Sequence, residues 1–171
     1  RAIERAEGSY FWFIGRREII MECLRRQVPA LSGRLMLEIG CGHGMLLRYL
    51  RQQTGLIVAG ADAFLEALRL SPADDGIPRY QVDATHLPFR NAFDIVGLFD
   101  VLEHIDDDTQ VLRECRSALK EGGLLMVTVP AFPSLWSSFD ELSCHKRRYM
   151  KRVVVNRVRA AGFTVERVTY F

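Results

Sequence analysis

Short apolar runs alternate with amphipathic stretches along most of this chain. Arg34 to Ile39, Leu56 to Ala61, Arg79 to Val82, Phe93 to Phe99, Leu124 to Val129 and Phe163 to Phe171 read as six strands. Between them the apolar period lengthens to that of a helix, over 44–53, 63–70, 109–120 and 149–161. A longer helical stretch, Ile3 to Val28, precedes them, with Gly8 and Gly15 inside it. The punctuation agrees: Ser71-Pro72 closes one helix, Asp106-Asp107-Asp108 caps the next, Gly122-Gly123 stops it, and Gly162 follows the last. The unbroken Leu, Met and Val content of 124–129 suits a parallel strand buried on both faces. Strands alternating with helices predict an α/β fold, a doubly wound and mostly parallel sheet preceded by an N-terminal helical segment. Right-handed crossovers put the carboxyl ends of the parallel strands on one rim. Asp62, Asp83 and Asp100 each follow a strand, so they are expected to line one crevice.

Composition adds little to that picture and removes several others. The 171 residues suffice for one domain with a substantial core. No repeat, low-complexity stretch or linker divides them. The expected organisation is a single domain: an N-terminal helical lid over 1–30, a core over 31–130, an insertion over 131–149, and the last helix and strand over 150–171. No apolar stretch approaches the ~20 residues that cross a bilayer, and no basic-then-apolar leader is visible. Cys23, Cys41, Cys115 and Cys144 are widely spaced and form no C-x-x-C pair. They read as reduced thiols of a cytoplasmic protein rather than a zinc or disulfide framework.

Charge is uneven although the net value is only +2. Ser143 to Phe171 holds eight Lys/Arg and one acid, whereas Pro29 to Leu142 holds nine Lys/Arg and sixteen acids. The basic tail admits an anionic substrate or surface; for a run this short a solvated helix face is the simpler explanation.

The run Leu35-Met-Leu-Glu-Ile-Gly-Cys-Gly-His-Gly44 carries the most chemistry. It predicts a buried strand that ends in a glycine turn and enters a helix. Its glycines fall at Gly40, Gly42 and Gly44, a G-x-G-x-G spacing and not the G-x-G-x-x-G of a dinucleotide site. That spacing counts against a nicotinamide dehydrogenase and points to a compact nucleoside with a cationic end. Asp62 stands 18 residues after Gly44, at a strand end where a carboxylate can accept ribose hydroxyls. A helix cap is its alternative role, since Ala63 opens a helix.

With these residues in place the chain resembles a class I S-adenosylmethionine-dependent methyltransferase. The resemblance rests on Glu38 to Gly44, Gly60-Ala-Asp62, Asp83-Ala84, Phe93 to His104 and Gly122 to Pro130, in that order. It implies S-adenosyl-L-methionine as cofactor and S-adenosyl-L-homocysteine as product. It further implies that Glu38 offsets the methionine ammonium, that Gly40, Cys41, Gly42 and Gly44 approach the ligand, and that Asp62 with Ala63 holds the ribose. Asp83 and Ala84 would then meet the adenine, Phe64 would pack on its face, and Phe99 and Asp100 would lie at the methionine end. Turn formation by Asp83 and core packing by Phe64 are the structural alternatives. A complete class I sheet also has a seventh, antiparallel strand between strands five and six, and that strand is expected to be missing from this sequence.

The acceptor side is less explicit. Methyl transfer needs alignment and exclusion of water, and a base only for a protonated nucleophile. His104 and His145 are the candidate catalytic bases, each with a structural alternative as a hydrogen-bonded histidine. The segment Asp100-Val-Leu-Glu-His104 resembles that of ubiquinone-biosynthesis O-methyltransferases, some of which use a divalent metal. A mixed O/N set binds such an ion only where the side chains converge, and no metal is expected here. The insertion and the aromatic N-terminal segment resemble bacterial small-molecule methyltransferases of the type 11/12 group. On that resemblance Trp12, Arg16, Trp136, Asp140, His145, Arg148 and Tyr149 form an acceptor pocket under a lid; ion pairs that hold the insertion together are the alternative. The expected partner is a small-molecule or lipid- or glycan-linked acceptor, with the chain a monomer or homodimer. Two other readings stay open: a catalytically silent cofactor-binding subunit acting with a partner, and a nucleic-acid methyltransferase. Against the latter stand the lack of an Asn/Asp-Pro-Pro-Tyr/Phe segment and of a Pro-Cys nucleophile.

Overall fold

The computed structural model describes residues 11–72 and 74–171. Tyr10 and the earlier part of the expected N-terminal helix lie outside the described residues. The elements are α1 (Phe11–Gln27), β1 (Leu35–Ile39), α2 (Met45–Thr54), β2 (Ile57–Asp62), α3 (Leu65–Arg69), β3 (Arg79–Gln81), β4 (Phe93–Phe99), α4 (Asp108–Ala118), β5 (Leu119–Thr128), α5 (Ser138–Leu142) and α6 (Lys151–Ala160). Two short 3₁₀ turns, Leu102–His104 and Pro133–Leu135, flank the crevice side. Among the described residues no helix is long and apolar enough to cross a membrane.

All five strands are parallel, in the order β3-β2-β1-β4-β5. Alternation along β1 sends Leu37 and Ile39 to one face and Met36 to the other. The first face packs against Val111, Leu112 and Cys115 of α4, with Val154 and Val158 of α6 at its margin. The second packs against Ile20, Met21 and Leu24 of α1 and Leu47 and Leu50 of α2. Each of these fully buried side chains contributes about 1.5–3 kcal/mol through its removal from water. Helices on both faces fix the sheet as doubly wound and leave the strand ends open for a ligand. The central strand β1 carries Glu38 in register with Gly60 on one neighbour and Gly97 on the other. The space beside these glycines is taken by Cys41 and Leu47 at Gly60 and by Phe99 and Met36 at Gly97.

Three expectations need correction. The helix expected to reach Lys120 ends at Ala118, and β5 begins at Leu119 rather than Leu124. Gly122-Gly123 therefore lies inside the strand, where Gly122 takes φ +69° and the register against β4 shifts; the pair forms a bulge instead of a helix stop. The last helix starts at Lys151, because Tyr149 is held in a bridge with Ala131. Finally, Phe163 to Phe171 is not a strand. A groove of about 790 Å³ separates it from the outer edge of β5, so its backbone meets no ladder. The intervening seventh strand, on which such pairing depends, is not among the described elements.

Candidate active site

The glycine turn is stitched to β2 by its own backbone. Gly40 N–H and Cys41 N–H both donate to the Ala61 carbonyl, at 2.8 and 3.2 Å. Gly40, Gly42 and Gly44 have φ of 74°, 52° and 77°, the left-handed region that L side chains resist. A Cβ on Gly40 would also stand 2.4 Å from Val101, whereas one on Gly42 would meet nothing within 4 Å. Gly42 thus presents open backbone to the crevice. Asp62 joins the turn to the end of β2: Gly42 N–H donates to Oδ2 and Phe64 N–H to Oδ1, each at 2.9 Å. The carboxylate is almost fully buried, and each oxygen keeps lone-pair capacity for a hydroxyl donor. The N-cap of α3 is Phe64, whose own side chain makes no capping bond, so Asp62 meets the start of the helix only through the Phe64 N–H.

The other residues expected on the cofactor side are placed as follows. Glu38 is buried at the end of β1, and Cys41 is buried beside it. Burial, then Glu38, then Asp62 push the Cys41 thiol far above its ordinary pKa, so it stays protonated and unreactive. Ala63 follows Asp62, and its carbonyl accepts from Gln81 Nε2 at 3.3 Å. The Phe64 ring is 72% exposed and is not core. Asp83 accepts both the N–H and the hydroxyl of Thr85, at 2.8 and 2.7 Å, which hold it below the usual carboxylate range. Its side chain is two-thirds exposed, so the turn leaves it accessible. Ala84 is buried beneath it, and Phe99 is buried against Gly97. Asp100 takes φ +57°, unusual for a side-chain-bearing residue and costing about 1–2 kcal/mol. Its N–H donates to the Thr128 carbonyl and its Oδ1 accepts from Thr128 Oγ1, each at 3.0 Å. Arg16 of α1 forms an ion pair with its other oxygen at 2.8 Å. That contact brings the N-terminal helix to the rim at the end of β4.

On the far side of Asp100 the insertion docks through charge. The strip His145-Lys-Arg-Arg-Tyr149 commits every residue to an acid. His145 Nδ1 lies 2.9 Å from Asp140 Oδ1. Lys146 pairs with Asp106, and Arg147 reaches Asp108 at 3.3 Å. Arg148 donates to both oxygens of Asp140, at 2.7 and 2.9 Å. Tyr149 OH donates to Asp108 at 2.7 Å. Arg157 of α6 also pairs with Asp108. Asp140 and Asp108 are buried, so the pairs they make are interior ones, whereas the Lys146–Asp106 pair lies at the surface. Asp140 also closes a capping box with Ser137 at the start of α5. Its two arginine bonds, with help from His145, hold its carboxyl far below the usual range.

Between this strip and the rim lies Glu103 on the first 3₁₀ turn. It is fully buried, and neither carboxylate oxygen accepts a hydrogen bond of ordinary geometry among the described residues. Burial, reinforced by the charge of Asp100, pushes its pKa up to about 8. His145 Nε2 lies 4.0 Å from Glu103 Oε1. The His104 ring meets His145 edge-on at 4.9 Å, and burial with the neighbouring imidazole lowers the His104 pKa. Ligating atoms of Glu103, His104 and His145 all fall within 4.8 Å of one another. The sequence-derived metal set converges only in part, because Asp100 turns to Arg16 and Thr128.

The other expected acceptor residues are spread along the same side. Trp12 stacks on Phe171 at 6.0 Å, one helical turn from Arg16. Trp136 ends the second 3₁₀ turn and is 41% exposed. Sequence reasoning missed Asp108 as a hub and read its triplet only as a cap. The signal was available: one acid suffices to cap, and Asp107 does so by accepting from Gln110 N–H at 2.9 Å.

Comparison with known proteins agrees with this arrangement. A family model described as a methyltransferase domain, type 11, matches residues 37–127. The chain is 29% identical over 117 residues to a ubiquinone biosynthesis O-methyltransferase of Histophilus somni, covering 61% of this chain and 48% of the relative. It is 30% identical over 118 residues to the methyltransferase GfsG of Streptomyces halstedii, covering 64% of this chain and 42% of that protein. The chain thus spans about half the length of these curated relatives. Among solved structures, phosphoethanolamine N-methyltransferase 2 of Haemonchus contortus in complex with S-adenosyl-L-methionine superposes with a TM-score of 0.72 at 26% identity, over 87% of this chain and 36% of that one. A turn of three left-handed glycines bonded to Asp62, on a doubly wound parallel sheet that the family model covers for more than half the chain, has one assignment: the chain belongs to the class I S-adenosylmethionine-dependent methyltransferases of the type 11 group.

Proposed function

We propose that this domain transfers the methyl group of S-adenosyl-L-methionine to a hydroxyl of a small-molecule acceptor. The observation that carries the reading is the side-by-side placement of two unlike half-sites on one rim. Gly42 and Asp62 offer open backbone and a fixed carboxylate for the nucleoside. Two strands across, Asp100 leads directly into the cluster of Glu103, His104 and His145. In this reading Glu38 and Asp100 bracket the methionine end, Asp62 accepts the ribose hydroxyls, and Asp83 with Ala84 receives the adenine against Phe64. The sulfonium supplies the leaving group, so the protein's work is alignment and exclusion of water. The Glu103–His104–His145 cluster handles the acceptor's nucleophilic group and its proton. Asp140, Arg148 and Tyr149 serve the acceptor by holding the insertion that carries His145, while Trp12 and Trp136 border the entrance. The O-methyltransferase name of the Histophilus somni relative supports a hydroxyl nucleophile.

The test is a transfer assay with methyl-labelled S-adenosyl-L-methionine against a panel of phenols, sugars, carboxylates and amines. Labelled ether, with matching S-adenosyl-L-homocysteine, is the expected product from hydroxyl acceptors. Cofactor binding with no turnover on any acceptor until a partner protein is added would replace the reading with a silent subunit. Turnover confined to RNA or DNA, with steep salt dependence, would replace it with a nucleic-acid enzyme.

A further inference from the structure

The groove of about 790 Å³ beside β5 is separate from both half-sites, and none of the expected cofactor residues lines it. It runs between residues 122–128 of β5 and residues 162–169. Among the described residues no strand pairs with β5 on this side, so its outward N–H and C=O groups meet no ladder. Ile20 and Cys23 of α1 form one wall, and Val154 and Val158 of α6 form the other. Leu124 and Met126 of β5 face the α1 layer, Leu125 and Val127 face the α6 layer, and all four are only half-buried. A strand with the composition of a central position thus stands at an edge.

These boundaries define the chemistry of an occupant. It carries extended backbone, because a purely apolar ligand would bury the β5 edge groups without partners. Its side chains are apolar on both faces, since alternate positions meet the α1 wall and the α6 wall. Its direction follows from charge. Arg34, Arg116 and Lys120 line the end of the groove where β5 starts, and Arg34 and Lys120 already share Asp94. A carboxylate is favoured at that end, which is the carboxyl end of a strand antiparallel to β5. The chain's own residues 163–171 are fixed as the far wall instead. Tyr170 stacks on Phe132 at 4.6 Å and its hydroxyl accepts from Lys151 N–H at 3.2 Å, while Phe171 stacks on Trp12 at 6.0 Å. We propose that the groove docks an extended strand of a second polypeptide, antiparallel to β5, apolar on both faces and acidic at its carboxyl end. Such docking is strand addition: backbone bonds supply affinity and the two walls supply selectivity. It covers the apolar edge of β5 and is independent of the acceptor reading above.

A fluorescein-labelled, carboxyl-amidated peptide of valine and threonine ending in glutamate tests the proposal on the full chain by fluorescence anisotropy. Saturable binding of one peptide per chain is expected. The same peptide N-methylated at alternate residues keeps its side chains but loses ladder donors, and it should not bind. Equal binding of the two would make the groove a pocket for apolar side chains and overturn the strand assignment. Arg116→Glu, at an exposed position, should weaken binding of the glutamate peptide several-fold and favour a peptide ending in lysine. Unchanged preference in that variant would overturn the antiparallel direction. Thiol alkylation of a Cys144→Ser chain gives a second readout, because Cys41 and Cys115 are buried and Cys23 lines the groove. The peptide should protect Cys23. Absence of both binding and protection would overturn the proposal, and a chain that sediments as a dimer with Cys23 already protected would assign the groove to a second copy instead.

Discussion

The proposed cofactor rim and the proposed acceptor side of this molecule are built by different means. The rim is held by backbone: Gly40 and Cys41 N–H on the Ala61 carbonyl, and Gly42 and Phe64 N–H on Asp62. The acceptor side is held by side-chain charge across long sequence separations, with Asp108 and Asp140 each gathering several cationic or hydroxyl partners. A backbone-built site tolerates little change in its glycines and depends weakly on salt. A charge-built site depends on a few buried acids, each able to release a whole segment. The division suits a fold that keeps one donor and changes its acceptor.

The largest effect that would sharpen this contrast is expected at Asp108. Replacing it with alanine leaves Arg147, Arg157 and the Tyr149 hydroxyl facing a buried gap. The loss should be about 3–5 kcal/mol in urea unfolding, as for other interior ion pairs deprived of one partner. Affinity for S-adenosyl-L-homocysteine should change far less in the molecules that remain folded. Equal damage to both would break the proposed division.

A smaller effect is expected at Asp62. Asp62→Ala should weaken cofactor binding by roughly 1–3 kcal/mol in a calorimetric titration, through lost hydrogen bonds to the ribose. Unchanged affinity would remove Asp62 from the ribose site and leave it a brace for Gly42 and Phe64.

These two residues also mark how far the sequence could be read. The rim was legible because its determinants are close in sequence: three glycines within five residues, and acids at strand ends whose position follows from the right-handed crossover. Five of the six expected strands followed from the same local patterns, with the start of β5 displaced to Leu119. The acceptor side was not legible to that depth. Asp108 and Tyr149 are 41 residues apart, and although Asp107 alone suffices as the cap, nothing local says which distant partners the spare acid gathers. Glu103 could be named from its motif, yet its convergence with His145 depends on how the insertion folds back. The failed sixth strand makes the same point from the other direction. Phe163 to Phe171 has strand-like alternation, but pairing is a property of two segments, and the groove beside β5 separates this one from a partner.

The smallest effect concerns pH. Asp75 pairs with Arg79 at 2.5 Å beneath Gly44, and the arginine bonds draw its pKa down to about 2. Because the folded value lies below the unfolded one near 3.9, its stabilisation is fully present above about pH 4 and is lost as pH falls through about 2. Asp75→Asn should therefore cost on the order of 1 kcal/mol at neutral pH and flatten the stability profile between about pH 4 and 2. Denaturation midpoints across that range measure it. A variant profile parallel to that of the unmodified chain would show that this pair does not steady the glycine turn.

The most direct measurement of the central claim is calorimetric titration of the purified chain with S-adenosyl-L-methionine and S-adenosyl-L-homocysteine. One site per chain is predicted for each, with NAD producing no heat of binding, because the G-x-G-x-G turn and Asp62 fit a single nucleoside with a cationic end. Binding of NAD in preference to either sulfur compound, or no binding of any of the three, would contradict the account.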